Sequence, residues 1–129
     1  MALSLTCVLL ASGIGSSGAA AQAPAAPNIG FVLYTKSHAP GTLNARWIWA
    51  NKYKGPGIAT GGPTEGFAGR YHVRYFLDSG DFSDEYELVI EKTGDTYFVS
   101  WLTNGKLSAV GVGMEVDGDL AVGWRRVDD

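Results

Sequence analysis

From Asn28 onward, apolar and polar residues alternate with a period of two between clusters of Gly, Asn and Asp, and no useful window repeats at helical spacing. Successive side chains of an extended chain point to opposite faces, so this is the pattern of strands with one buried face. It predicts eight strands, over 29–36, 42–50, 57–61, 69–77, 85–92, 95–103, 106–114 and 119–126. The third is short because Lys52 to Gly66 carries five glycines and two prolines and reads as loop. Tyr71-x-Val73-x-Tyr75, Tyr97-x-Val99-x-Trp101 and Leu120-x-Val122-x-Trp124 form a weak repeat, with Leu43-x-Ala45-x-Trp47 a looser copy. A spacing of roughly 25 residues corresponds to one hairpin per copy, as in a β-meander.

Register follows from the turns, because a slip of one residue exchanges the two faces of a strand. A Thr93-Gly94 turn sets Ile90 opposite Tyr97 and Leu88 opposite Val99. Asn104-Gly105 is the strongest hairpin signal and sets Val99 opposite Val110. Pairing Asp78 with Glu85 across a 79–84 loop sets Tyr75 opposite Leu88. At the last hairpin, a three-residue loop Val116-Asp117-Gly118 is needed to keep Trp124 on the apolar face.

Sequential antiparallel strands with one continuous apolar face must curl over that face to bury it, and closure removes sticky edges. The expected fold is all-β, an antiparallel up-and-down barrel of about eight strands. An open half-barrel or a β-sandwich is the runner-up. The inner face would hold Tyr71, Tyr75, Tyr86, Tyr97, Trp101 and Trp124, with Trp47 or Trp49 from the second strand. Two readings stand side by side: an aromatic core filled by its own side chains, or an interior open to one small apolar or aromatic ligand. On the outer face the same register gathers Ala109, Gly111, Gly113, Ala121 and Gly123, with Phe98 lying across Gly111. Either strand coiling or a homo-oligomer contact through Gly111, Gly113 and Gly123 explains such a patch.

Charge changes the picture little: 13 acidic against 10 basic residues give a net charge of −3, with no basic footprint for nucleic acid. Its distribution says more, since every charged residue follows an uncharged Ala/Leu/Ser/Gly start. Residues 1–21 have the layout of a secretory signal peptide ending at Ala19-Ala20-Ala21, although Met1-Ala2-Leu3 lacks the usual basic residues. Residues 22–28 read as an Ala/Pro linker and 29–129 as a single domain. The single cysteine, Cys7, falls in the leader, so the mature chain would carry no disulfide and no thiolate. Export without disulfides suits a bacterial periplasm or secreted fluid.

Chemical motifs are sparse. His72, with Glu91 as its expected cross-strand neighbour and Arg74 beside it, reads as a surface ion pair with no Ser or Cys to complete a triad. His38 lies in the turn between the first two strands, and two histidines on separate segments make no metal spacing. Four acids between Asp78 and Glu85 match no calcium loop and read as a solvated turn. The glycines from Gly55 to Gly62 lack the Lys-Ser/Thr ending of a phosphate loop. No catalytic residue, metal or cofactor is assigned.

With the Gly69-Arg70-Tyr71 strand opening and the Gly118-Asp119-Leu120-Ala121-Val122-Gly123-Trp124 closing strand, the meander resembles a small exported barrel of the calycin type, the group of lipocalins, avidins and bacterial barrel protease inhibitors. The resemblance is one of architecture over roughly 29–127; no lipocalin Gly-x-Trp stands at the first strand. It implies binding more often than catalysis. The leading expectation is an exported barrel that binds a small apolar or aromatic ligand, with Trp47, Tyr71, Tyr75, Tyr86, Tyr97, Trp101 and Trp124 as its contacts. An interaction or inhibitor module acting through loops 37–41, 52–66 and 78–84 is second, and a barrel lyase or isomerase third.

Overall fold

Alternation becomes burial along most of the chain. A computed structural model describes residues 26–127, and the expected leader and most of the linker lie outside the described residues. Eight antiparallel strands follow one another around a closed barrel: β1 Gly30–Lys36, β2 Leu43–Trp49, β3 Tyr53–Thr60, β4 Gly69–Phe76, β5 Phe82–Thr93, β6 Thr96–Thr103, β7 Lys106–Val116 and β8 Asp119–Arg126. β8 returns to pair with β1, from Gly30 opposite Trp124 to Tyr34 opposite Leu120. This is the up-and-down barrel that the alternation predicts, and the described residues contain no helix. The core is the inward row of each strand, with Tyr34, Leu43, Val73, Leu88, Val99, Leu120 and Val122 essentially inaccessible.

The third strand corrects the sequence reading. Tyr53–Thr60 is eight residues long, and its glycines face a crowded interior rather than a turn. Gly55 lies opposite Trp47 and Gly57 opposite Tyr75. A Cβ at Gly57 would stand 2.7 Å from the Tyr75 ring, and one at Gly55 would overlap the Phe76 carbonyl. The same complementarity runs around the barrel: Tyr34 opposes Ala45, Trp101 opposes Ala109, Tyr97 opposes Gly113, and Trp124 lies between Gly30 and Gly111. A narrow barrel closes around large rings only where the facing residue gives up its side chain.

Four registers also differ. Thr93 pairs with Thr96, so the turn is Gly94-Asp95, with Gly94 at φ 61 as a type II′ turn requires. Ile90 therefore opposes Val99, and Leu88 opposes Trp101. The β4–β5 pairing is four residues tighter than expected, with Arg74 opposite Glu85 and Tyr71 opposite Leu88. Leu77 N–H donates to the Asp81 carbonyl at 2.8 Å to close that turn, and the Arg74 guanidinium lies over the Phe76 and Phe82 rings. Both shifts are even, so the buried faces are unchanged.

The third shift is odd, and it matters more. Thr103 pairs with Lys106 across Asn104-Gly105 as expected, but a bulge follows, and Trp101 opposes Ala109. Ser108 is the extra residue; its hydroxyl lies 2.9 Å from that of Thr103 and its carbonyl accepts from Val127 N–H. Beyond it the faces of β7 are exchanged. Gly111 and Gly113 turn inward, opposite Val99 and Tyr97, while Val112 and Met114 turn outward. The expected outer patch of small residues is thus not formed, since only Ala121 and Gly123 remain outside, and Phe98 lies opposite Val112. The last hairpin is a plain two-residue turn, Val116 to Asp119, with Asp117 and Gly118 at φ 52 and 86. The bulge brings Trp124 inside without the three-residue loop.

Candidate functional site

Both ends of the barrel are built from the same strands, yet one is shut. The 61–68 segment folds across the end that holds the Asp117-Gly118 turn and inserts Phe67, which is buried. Tyr71 O–H donates to the Phe67 carbonyl at 2.8 Å, and the Phe67 and Tyr97 rings meet edge-on at 6.3 Å. Lys36 covers the plug from outside, its ammonium 5.1 Å from the Phe67 ring centre and bonded to the Gly66 carbonyl. Tyr97 O–H donates to Glu115 at the rim. Burial, reinforced by the Glu115 bond and charge, pushes the Tyr97 phenol up to about 12.

The opposite half holds a cavity of about 240 Å³. Its floor is made by Val32, Trp47, Tyr75, Trp101 and Ala109, and Trp124 and Tyr86 form its walls. Trp49, Tyr53, Leu77, Ser83, Asp84 and Arg126 line its mouth. Trp47 is fixed because its indole N–H reaches the carbonyls of both Pro56 and Phe76 at 3.1 Å. Trp101 packs on Trp124 at 5.9 Å and donates its N–H to the Tyr75 hydroxyl at 2.7 Å. That hydroxyl also lies 2.6 Å from the hydroxyl of Tyr34, just beneath the floor. At the mouth Trp49 and Tyr53 stack nearly parallel, with planes 4° apart.

The sequence-predicted residues therefore divide. Trp47, Tyr75, Tyr86, Trp101 and Trp124 meet around the cavity, whereas Tyr71 and Tyr97 belong to the closed end beside Phe67. Trp49, offered as an alternative to Trp47, lines the mouth together with it. Tyr34, Asp84 and Arg126 escaped sequence reasoning, although Tyr34 sits at period two from Val32 in a strand already recognised. Phe67 gave no signal, since a plug from a loop obeys no periodicity.

Electrostatically the cavity favours neutral groups. Burial raises the Tyr75 phenol, and it raises Tyr34 well above the ordinary tyrosine value. Tyr86 is pushed up to about 12 by burial, with the bond to Asp84 and that carboxylate's charge adding and Arg126 opposing. At neutral pH these phenols are hydrogen-bond donors, not bases, so the arrangement suits holding a molecule better than abstracting its proton. His72 lies far around the outside: it is opposite Glu87, not Glu91, and its Nε2 is 3.3 Å from Glu85, which also meets Arg74. That exposed cluster has no part in the cavity. Comparison with protein-family models, with curated proteins and with solved structures finds no match for this chain.

Proposed function

We propose that this protein is a calycin-type binding barrel, taking one small apolar or aromatic molecule through its open end. The observation that supports the reading is the cavity itself, about 240 Å³ bounded by four tryptophans and three tyrosines. An apolar cavity of about 150 Å³ already accepts benzene. The asymmetry of the ends supports it too, since a barrel needing only a core has no reason to plug one end with Phe67 and leave the other lined by exposed rings. Export of the chain, with removal of residues 1–21, belongs to the same proposal, and N-terminal sequencing of the exported protein tests it.

The binding test is a thermal-shift panel of indoles, phenolics, fatty acids and small terpenoids, read in parallel by tryptophan emission. A ligand at a hundred times its dissociation constant should add about 2.7 kcal/mol to stability. Quenching should accompany the shift, because all four tryptophans line the cavity. A panel that neither stabilises the protein nor changes its emission would remove the reading.

A further inference from the structure

Hydrogen atoms are one too many at the cavity floor. Trp101 N–H, Tyr34 O–H and Tyr75 O–H bring three hydrogens to two phenolic oxygens. Trp101 donates to Tyr75, and one phenol donates to the other. One hydrogen remains. If it belonged to Tyr34, it would be sealed in the core, where that side chain is 0 % exposed and its other hydrogen-bond neighbour besides Tyr75, the Trp101 indole N–H, can only donate. A buried donor without an acceptor is expensive. The economical arrangement has Tyr34 donate to Tyr75, which leaves the proton of Tyr75 on the residue that forms part of the cavity wall.

We infer that the cavity selects ligands carrying a neutral hydrogen-bond acceptor, such as a ketone, aldehyde, ether or amide oxygen on an apolar or aromatic body, and that Tyr75 O–H is the donor that recognises it. The inference rests on the binding reading above and names its ligand class. Two further observations narrow it. Tyr75 is flanked by Trp47 at 5.9 Å and Tyr86 at 6.2 Å, so the acceptor would be reached only by a molecule whose body lies among rings. The same burial that raises the phenols opposes any anion at this depth, so a carboxylate would not replace the neutral oxygen. The oxygen of Tyr75 is meanwhile held from two sides, so its remaining hydrogen has a set direction before any ligand arrives.

A matched set of probes tests this. Acetophenone and α-methylstyrene share a shape and differ in C=O against C=CH2; benzoate offers a charged oxygen on the same ring. Each is titrated into the wild-type protein and into Tyr75→Phe, with tryptophan emission and melting temperature as readouts. Tyr75→Phe should weaken acetophenone about tenfold more than it weakens α-methylstyrene, the loss of one good hydrogen bond. Benzoate should bind the wild type more weakly than acetophenone. Should Tyr75→Phe fail to fold, the carbonyl stretch of bound acetophenone in the wild type gives the same answer, moving to lower frequency than in hexane. If both uncharged probes bind and the substitution affects them equally, or the carbonyl band stays at its hexane position, the acceptor inference falls while the binding reading stands. The acceptor inference also falls if benzoate binds more tightly than acetophenone. If none of the three binds, both fall.

Discussion

The two ends of this barrel use the same materials for opposite purposes. At the closed end Phe67 and Tyr97 meet edge to face, with the Tyr71 hydroxyl spent on the Phe67 carbonyl and that of Tyr97 on Glu115. At the open end Trp49, Tyr53 and Trp124 keep part of their surfaces in contact with solvent, around a space none of them fills. Aromatic content alone does not separate a core from a site. The difference is one loop: residues 61–68 deliver a ring to the first end, while the Ala50-Asn51-Lys52 turn at the second is too short to reach inward. A filled interior and a hollow one, alternatives at the level of sequence, coexist in the two halves.

Exchanging the treatment of the ends gives the largest expected effect. Phe67→Ala should destabilise by about 3–5 kcal/mol in a urea titration, because it empties a sealed position. Trp124→Ala should cost clearly less, about 1–2 kcal/mol, since its ring is already partly solvated and borders empty space. Equal losses would mean that the open end is packed as core. Alkaline titration ranks next. Tyr34, Tyr71, Tyr75, Tyr86 and Tyr97 are all raised in the fold, each chiefly by burial. A phenol raised in the folded state holds its proton more tightly there than in the unfolded chain. Its contribution is whole below about pH 10 and is lost as pH climbs toward the folded value. Phenolate absorbance of these residues should therefore appear above pH 10 and coincide with loss of near-ultraviolet ellipticity, and a tyrosine titrating earlier with the fold intact would have to lie outside this group. The smallest effect concerns the turns. Gly118→Ala at the closed end and Gly105→Ala at the open end should each cost about 1 kcal/mol, since both occupy left-handed positions, φ 86 and 79. Similar shifts in the urea midpoint would locate the contrast between the ends in their side chains, not in their turns.

Strand number, order and closure were legible because alternation depends only on each strand having one wet face and one dry face. Register was legible only modulo two: the β4–β5 and β5–β6 hairpins slip by even steps that leave every ring where its face placed it. The Ser108 bulge was not legible. It is one residue in a stretch, Lys106 to Val116, where small and apolar residues occur on both faces, so neither phase is penalised by a buried charge. Missing it produced two offsetting errors, an outward patch at Gly111 and Gly113 and an unneeded three-residue loop before Asp119. The Gly55-Pro56-Gly57 stretch misled for another reason. Glycine signals either a turn or a close approach, and only the rings of Trp47 and Tyr75 on neighbouring strands decide between them. Five cavity aromatics were found because they share a phase with the core; Asp84 and Arg126 were not, because nothing in a strand's periodicity marks where it rises past the rim.

The seam between β1 and β8 sets the order in which this barrel can be completed. Seven of the eight strand pairs join neighbours in sequence, whereas the eighth binds Asn28 to Arg126 by reciprocal bonds of 2.8 and 2.9 Å across 98 positions. Ribosomes release β1 first and its partner last. Until residues 119–126 emerge, any sheet already formed has two bare edges, and the apolar lining that later becomes a cavity is a trough open along its length. Closure is therefore a single late event that depends on the last strand. A chain cut short by one hairpin arm would lose not an eighth of its order but the property of having no edge, and with it the protection against pairing with another copy of itself.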